Sequence, residues 1–399
     1  MNETLLDDVE PLAEESVLQH QQFLRKLVLF SLPIVAVTLP ALLVLSVTGE
    51  ELCDIDQVVS QLPDQKYLIG FAYNEQNYPY LKLATLTSSR DAEVLSLGSS
   101  RVLSFRLEMF SRPFYNAGYT IQTAGDFTRF LKLLPEDKHP PVLVVGLDQW
   151  MFNTQWCAQA TKTSDSKWTE NPSVSFRSAV RRIPKVYSDS VRGRIPLGSV
   201  LNQTSDDAIC FGLNAVVNEK GFRNDGSFNY GKQIQQLLEQ DSRVSDFAFS
   251  ETLSRVAAGR DRFQFGATPD VAALEDVRQL LAFCSEHEIH VVAFLPPFAD
   301  RVYTAMEQSG QHAYLSQLAP ELAELFKAGD AEFYDFSSMK SFGSTDKEAI
   351  DGFHAGEVAY LKILQAMVNR GSRLSQYCDP GKIERDLLAA INSYEVYRE

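Results

Sequence analysis

Positive charge is scarce in this 399-residue chain: 37 Lys and Arg stand against 52 Asp and Glu, a formal net charge of −15. Nucleic-acid binding draws on clustered cations that displace counterions from phosphates, so an acidic chain argues against such a partner. Cysteine is sparse too. The five (Cys53, Cys157, Cys210, Cys284, Cys378) include no Cys-x-x-Cys pair, which removes the usual framework of a structural zinc site. Cys284-Ser-Glu-His287-Glu-Ile-His290 has ligand-like spacing, but it closes a predicted helix ahead of a buried strand, where solvated polar residues are the norm. No Gly-x-Ser-x-Gly elbow, P-loop or Gly-x-Gly-x-x-Gly occurs. The α/β-hydrolase fold and nucleotide binding thereby lose their sequence support, and neither metal nor cofactor is expected.

What the chain does have is one long apolar run. Leu27 to Val47 carries no charge, and as a helix it spans roughly 30 Å, the thickness of a bilayer core. Arg25 and Lys26 precede it; Glu50, Glu51, Asp54 and Asp56 follow. That asymmetry predicts an N-terminus in the cytoplasm and the rest of the chain outside. The leader, with Asp7, Asp8, Glu10, Glu14 and Glu15, is long and acidic where a secretory leader is short and basic. Ser46-Val47-Thr48 is a poor cleavage site, and Cys53 does not read as a lipoprotein site. The expectation is an uncleaved single-pass anchor: cytoplasmic tail 1–22, membrane helix 23–48, stalk with a helix 49–90, and an extracytoplasmic domain 91–399.

Within that domain four apolar runs read as strands: Ala92–Gly98, Pro140–Asp148, His290–Pro297 and Ala331–Phe336. They are continuously apolar rather than alternating, as strands buried on both faces are. Helical patterns fall between them at Asp126–Leu134, at Asp270–His287 with Asp270 as N-cap, and at Ala313–Lys327. Strands alternating with helices predict an α/β domain on a parallel sheet, with ligands at the carboxyl ends of the strands. The segment from about 154 to 266 breaks the rhythm, being rich in Ser, Thr, Asn, Arg and Gly, and reads as an irregular insertion over the active rim. Cys157 and Cys210 lie in it and could pair in an oxidising compartment.

At the end of the first strand stands Glu93-Val-Leu-Ser-Leu-Gly-Ser-Ser-Arg101. Far downstream, Asp351-Gly-Phe-His354 enters the last long helical pattern. A serine nucleophile needs a base and an orienting acid, and Asp-x-x-His lets a carboxylate fold back on its own imidazole. Each piece alone is an ordinary turn or a surface pair; together, at opposite ends of an α/β domain, they make a candidate site.

These residues resemble the SGNH (GDSL-like) hydrolase superfamily. Gly98-Ser99-Ser100 is similar to its first block, Phe114-Tyr-Asn-Ala-Gly118 to its second, Gly146-Leu-Asp-Gln149 lies where its third stands, and Asp351-Gly-Phe-His354 matches its last. With the single anchor, the chain looks like the membrane-bound branch of polymer acylation, such as the alginate O-acetylation and teichoic acid D-alanine transfer proteins. The resemblance implies a flavodoxin-like three-layer fold with a parallel sheet. It implies Ser100 as nucleophile, His354 as base and Asp351 as orienting acid, with oxyanion donors from Ser100, Gly118 and Gln149. Arg101, Asn116 and Asp148 are then substrate-binding candidates. The implied activity is an O-acyltransferase or esterase at the bacterial inner membrane, acting in the periplasm on a polysaccharide acceptor. A membrane-bound O-acyltransferase is the implied partner.

Two positions depart from the pattern. Ser99 stands where the family has Asp, and Asp148 where it has an oxyanion-binding Asn. A charged carboxylate roughly 4 Å from an oxyanion costs about 4 kcal/mol at an effective dielectric near 20. Asp148 is therefore expected to point away, to be held protonated, or to leave the role to Gln149 or backbone N–H groups. Arg101 is open to two readings, an anion contact or a salt bridge to Asp148 or another rim acid. A scaffold with no catalysis is the alternative that Asp148 supports.

Overall fold

The computed structural model describes residues 9–51, 54–88, 91–160, 164–172, 176–196, 198, 200 and 208–398, with side chains from residue 19 onward. Cys53 and the leader acids Asp7 and Asp8 lie outside the described residues. The chain divides into two compact units: residues 1–53 with 174–204, and residues 54–173 with 205–399.

The first unit is built on one helix, Val9–Val47. Its stretch Gln19–Val47 is long and apolar enough to cross a membrane, and only 6% of its most apolar window is buried in protein. Phe23, Leu29 and Phe30 are all exposed, an apolar surface that water would not stabilise. A second helix, Phe176–Val191, lies against it with Ala179, Ile183 and Val186 turned inward. The Tyr187 hydroxyl donates to the Val37 carbonyl at 2.6 Å, and Ser178 Oγ donates to Glu51 at 2.9 Å.

The second unit is mixed α/β. In chain order its strands are β1 (Tyr67–Ile69), β2 (Val94–Leu97), β3 (Phe114–Ala117), β4 (Val142–Gly146), β5 (Ile209–Phe211), β6 (Gly221–Phe222), β7 (Phe228–Asn229), β8 (His290–Leu295) and β9 (Glu332–Asp335). The main sheet has the order β3-β2-β4-β8-β9 and is parallel throughout. β2 and β4 are wholly buried, as a sheet covered on both faces requires. β9, at the edge, is only half-buried. Helices Gly125–Lys132, Val271–Glu286 and Tyr314–Ala328 connect these strands. The Asp270 carboxylate caps the second of them by accepting from the Ala273 N–H at 3.0 Å, which satisfies an otherwise orphaned donor.

The expected strands at 92–98, 140–148, 290–297 and 331–336 all exist, in shorter form. β3 is an addition: Phe114–Ala117, singled out in the sequence only as part of a motif, pairs with β2 in parallel. The insertion is more ordered than its composition predicts. β5 pairs in parallel with β1, from the segment expected to be a stalk, and β6 pairs with β1 in antiparallel sense, making a second sheet of order β5-β1-β6-β7. Its β6–β7 turn docks on the main sheet. The Asn116 N–H donates to the Asp225 carbonyl at 2.8 Å, and the Phe228 N–H to the Leu103 carbonyl at 3.1 Å. Gly226 makes that approach possible: its φ is +79°, and a Cβ there would lie 2.1 Å from the Asn116 carbonyl oxygen. Cys157 is a free thiol, so the pairing considered for it with Cys210 is not made.

Candidate active site

The strand order reverses between β2 and β4, which follow different directions outward along the sheet. At such a reversal the loops after the two strands part and leave a crevice at their carboxyl ends. Ser100 follows β2 and Asp148 follows β4, so both border it.

Ser99 shapes the first loop. It is the extended N-cap of a single 3-10 turn, Ser100–Val102, and its Oγ accepts from the Arg101 N–H at 3.2 Å. A serine does here the capping that an aspartate could also do. Val102 is buried beneath the turn, and a Cβ on Gly146 would lie 2.3 Å from its Cγ1. The two loops can therefore meet only if that position is glycine. Ser100 itself is half-buried.

Ser100 Oγ lies 2.8 Å from His354 Nε2, and His354 Nδ1 lies 2.7 Å from Asp351 Oδ2. Asp351 Oδ1 accepts the N–H groups of Phe353 and His354 at 2.9 and 2.8 Å. The four residues Asp351–His354 thus close on themselves. The Asp246 carboxylate braces the loop by accepting from the Gly352 N–H at 2.9 Å. Burial works to raise the Asp351 pKa, yet the facing imidazole and these hydrogen bonds hold it below the ordinary carboxylate value. An ionised Asp351 keeps the imidazole hydrogen on Nδ1 and turns the Nε2 lone pair toward Ser100. Three side chains form one chain of hydrogen bonds that can take a proton from a serine.

The remaining candidates are also at the crevice, but their hydrogen bonds are spent on the protein. The Gly118 N–H donates to Asn116 Oδ1 at 2.9 Å. The Gln149 amide donates to the Pro296 carbonyl at 2.9 Å and to Ser337 Oγ at 3.0 Å. Neither donor is free to hold an oxyanion in this conformation, which corrects the expectation for both. Asn116 is fully buried, and its amide donates to the carbonyls of Val102 and Phe105 at 2.8 and 3.0 Å. It ties β3 to the serine loop and does not reach a substrate. The Ser100 N–H has no protein acceptor among the described residues and is the one expected oxyanion donor left open.

Arg101 turns inward, settling its two readings for the salt bridge. It is 2% exposed. Its Nη1 lies 3.3 Å from Asp148 Oδ1 and donates to Gln149 Oε1 at 2.7 Å; its other nitrogens donate to the Phe353 carbonyl at 3.0 Å and the Pro296 carbonyl at 2.6 Å. One guanidinium therefore joins the loops after β2, β4 and β8 to the loop that carries His354. Asp148 is wholly buried and points into this arrangement. Burial pushes its pKa up, and the Arg101 charge pulls it back only in part. Its contact with Arg101 meets the expectation of a carboxylate turned from the oxyanion, and the raised pKa meets that of a carboxyl held protonated.

Three rim residues carried no signal in the sequence. Tyr119, at φ +75°, donates its hydroxyl to Glu75 at 2.7 Å. The Lys220 ammonium donates to Gln233 Oε1 at 2.9 Å and acts electrostatically on Asp351 and Glu75. Arg262 lies over Trp150 and Phe353. By contrast, the Cys284–His290 spacing gathers nothing: Cys284 is buried and His290 pairs with Glu332 at 2.8 Å. Among the described residues no group of three His, Cys, Asp or Glu side chains is placed to hold a metal ion.

Compared with known proteins, the chain matches no protein-family model and no curated protein.

Proposed function

We propose that this chain is a membrane-anchored, extracytoplasmic serine acyltransferase or esterase of the SGNH type. The observation that carries the proposal is the hydrogen-bonded series Ser100–His354–Asp351, with contacts of 2.8 and 2.7 Å. Two features support it. The main sheet follows, in chain order, the 2-1-3-4-5 arrangement of flavodoxin-like folds. One helix near the N-terminus is long and apolar enough to anchor the chain.

In the proposed reaction Ser100 Oγ attacks the carbonyl carbon of an acyl donor while His354 Nε2 takes the hydroxyl proton. The Ser100 N–H steadies the oxyanion. The intermediate collapses, the donor's leaving oxygen receives the proton from His354, and the acyl group remains as an ester on Ser100. An acceptor hydroxyl then loses its proton to His354 and attacks that ester, and Ser100 leaves with the proton returned. If the acceptor is a polysaccharide hydroxyl the outcome is transfer; if it is water, hydrolysis. In this reading the anchor keeps the site in the periplasm at the inner membrane. A membrane-bound O-acyltransferase is the natural source of acyl groups there.

A second reading has its own support. With the Gly118 and Gln149 donors engaged, the Ser100 N–H alone of the expected donors lacks an acceptor among the described residues, and each missing donor costs about 3 kcal/mol. A polysaccharide-binding or assembly subunit without turnover needs none of them. A fluorophosphonate probe separates the two. Labelling at Ser100, located by peptide mass spectrometry and absent in Ser100→Ala, supports the enzyme. Absence of labelling in a folded wild-type protein supports the scaffold.

A further inference from the structure

Arg262 is a cation without a partner. It is half-buried, and among the described residues it makes no hydrogen bond or ion pair, while its neighbours Arg260 and Asp261 pair with each other. Its guanidinium carbon lies 5.2 Å from the centre of the Trp150 ring and 5.9 Å from that of Phe353. The Phe353 ring in turn lies 4.5 Å from the His354 imidazole, centre to centre. Arg262 thus stands over the aromatic platform against which the candidate base packs.

Its placement is not relaxed. Asp261 and Arg262 have φ angles of +53° and +79° in succession, a region that residues with side chains seldom adopt. An arginine needed only for solubility would have no reason to sit there half-desolvated, and strain of this kind collects at ligand sites.

The nearby carboxylates already have partners, save one oxygen: Asp148 Oδ2 is buried without a hydrogen bond. Asp148 faces Arg101 at 3.3 Å and Asp351 faces His354 at 2.7 Å. On the rim, Glu75 accepts the Tyr119 hydroxyl, and Lys220 donates to Gln233. Arg262 reaches both Tyr119 and Asp148 electrostatically, favouring their ionised forms. The rim therefore carries Arg262 and Lys220 against Glu75 and the ionised Asp351, and of the two cations Arg262 is the one with no hydrogen bond among the described residues.

We infer that Arg262 recognises an anionic group, a carboxylate or a phosphate, on the acyl acceptor beside the hydroxyl presented to His354. The inference rests on the acyl-transfer reading for the word acceptor, and on the contacts above for the anion. A planar guanidinium held on aromatic faces offers paired donors that fit either group. The sequence had pointed to Arg101 for this role, but that side chain is buried and fully engaged.

The test uses full-length protein in nanodiscs, with Ser100→Ala throughout so that nothing turns over. Binding of tetragalacturonate, a glycerol-phosphate tetramer and neutral maltotetraose is titrated with and without Arg262→Gln, and with Arg262→Lys. One of the two anionic oligomers should bind at least about tenfold more tightly than maltotetraose, and which one identifies the anion. Arg262→Gln should remove that preference, and Arg262→Lys should keep part of it, as loss of one charged hydrogen-bond pair requires. Equal binding of all three oligomers, or an anion preference that survives Arg262→Gln, would overturn the inference. Phosphonate labelling of Ser100 in the unsubstituted protein is run alongside. If labelling fails while the anion preference depends on Arg262, the acyl-transfer reading falls and the binding site stands.

Discussion

Ser100 Oγ and His354 Nε2 stand 2.8 Å apart in space and 254 positions apart in sequence. Nothing local brings them together. The serine is fixed by a capped turn after an interior strand, and the histidine by a four-residue loop that hydrogen-bonds to itself. Arg101 links the two by donating to the Phe353 carbonyl.

Asp351→Asn is expected to leave the fold intact and to lower turnover by about 10⁴-fold, because an amide at that position can stabilise the wrong imidazole tautomer. Steady-state kinetics on an activated acetyl ester reads the loss. The pH dependence has a definite sign. The folded-state pKa of Asp351 lies below its ordinary 3.8, so its stabilising contribution is complete above that value and is lost as pH falls through the folded one. Loss of activity at pH 5 or above would then have a source other than protonation of Asp351.

The Arg101–Asp148 pair makes an asymmetric prediction. Arg101→Met strands a buried carboxylate and should cost about 3–5 kcal/mol of stability. Asp148→Asn should cost less, because Arg101 keeps Gln149, Pro296 and Phe353 as acceptors. The double variant Arg101→Met/Asp148→Asn should recover part of the loss seen in Arg101→Met alone. Urea unfolding of the three variants measures the cycle; a double variant worse than the sum would contradict the pairing.

Glu332 supplies a stability probe remote from the chemistry. Burial works to raise its pKa, but hydrogen bonds from His290, Ser372, the Arg373 N–H and Tyr334 bring it down to about 2 from an ordinary 4.5. Its contribution should therefore be full above pH 4.5 and fade as pH falls toward 2. Glu332→Gln should lower the thermal midpoint at pH 7, and the gap to wild type should narrow on acidification. A constant gap would mean that the carboxylate charge is not what the four donors stabilise.

The parts of this chain that were legible in sequence are those whose signal is local. The buried runs at β2, β4 and β8 are unbroken apolar stretches, and Asp270 announces its helix. Ser100, Asp351 and His354 stand out because a serine at a strand end and an Asp-x-x-His turn are recognisable over a few residues. β3 was hidden because its four residues include Asn116, whose polarity is satisfied only by the distant Val102 and Phe105 carbonyls. β1, β5, β6 and β7 are two or three residues long, too short to carry a period. The oxyanion donors were assigned by pattern, but the Gly118 N–H is taken by Asn116 two positions earlier, and the Gln149 amide by the Pro296 carbonyl and Ser337 Oγ, which only tertiary structure brings near. Arg262 was invisible for the same reason: the absence of a partner cannot be read from a list of neighbours in sequence.

The second sheet sets a timetable. Tyr67 in β1 waits for Ile209 in β5, about 140 positions later, which is roughly 7–30 s of synthesis at ordinary rates. For that interval a short apolar segment has open edges and no neighbour to close them. The crevice is subject to the same delay, since the β6–β7 turn that buttresses Asn116 emerges later still. Maturation of this protein is therefore a matter of holding β1 unpaired until the middle of the chain arrives. A cell that makes it must either shield that segment or make the chain quickly enough for nothing else to find it.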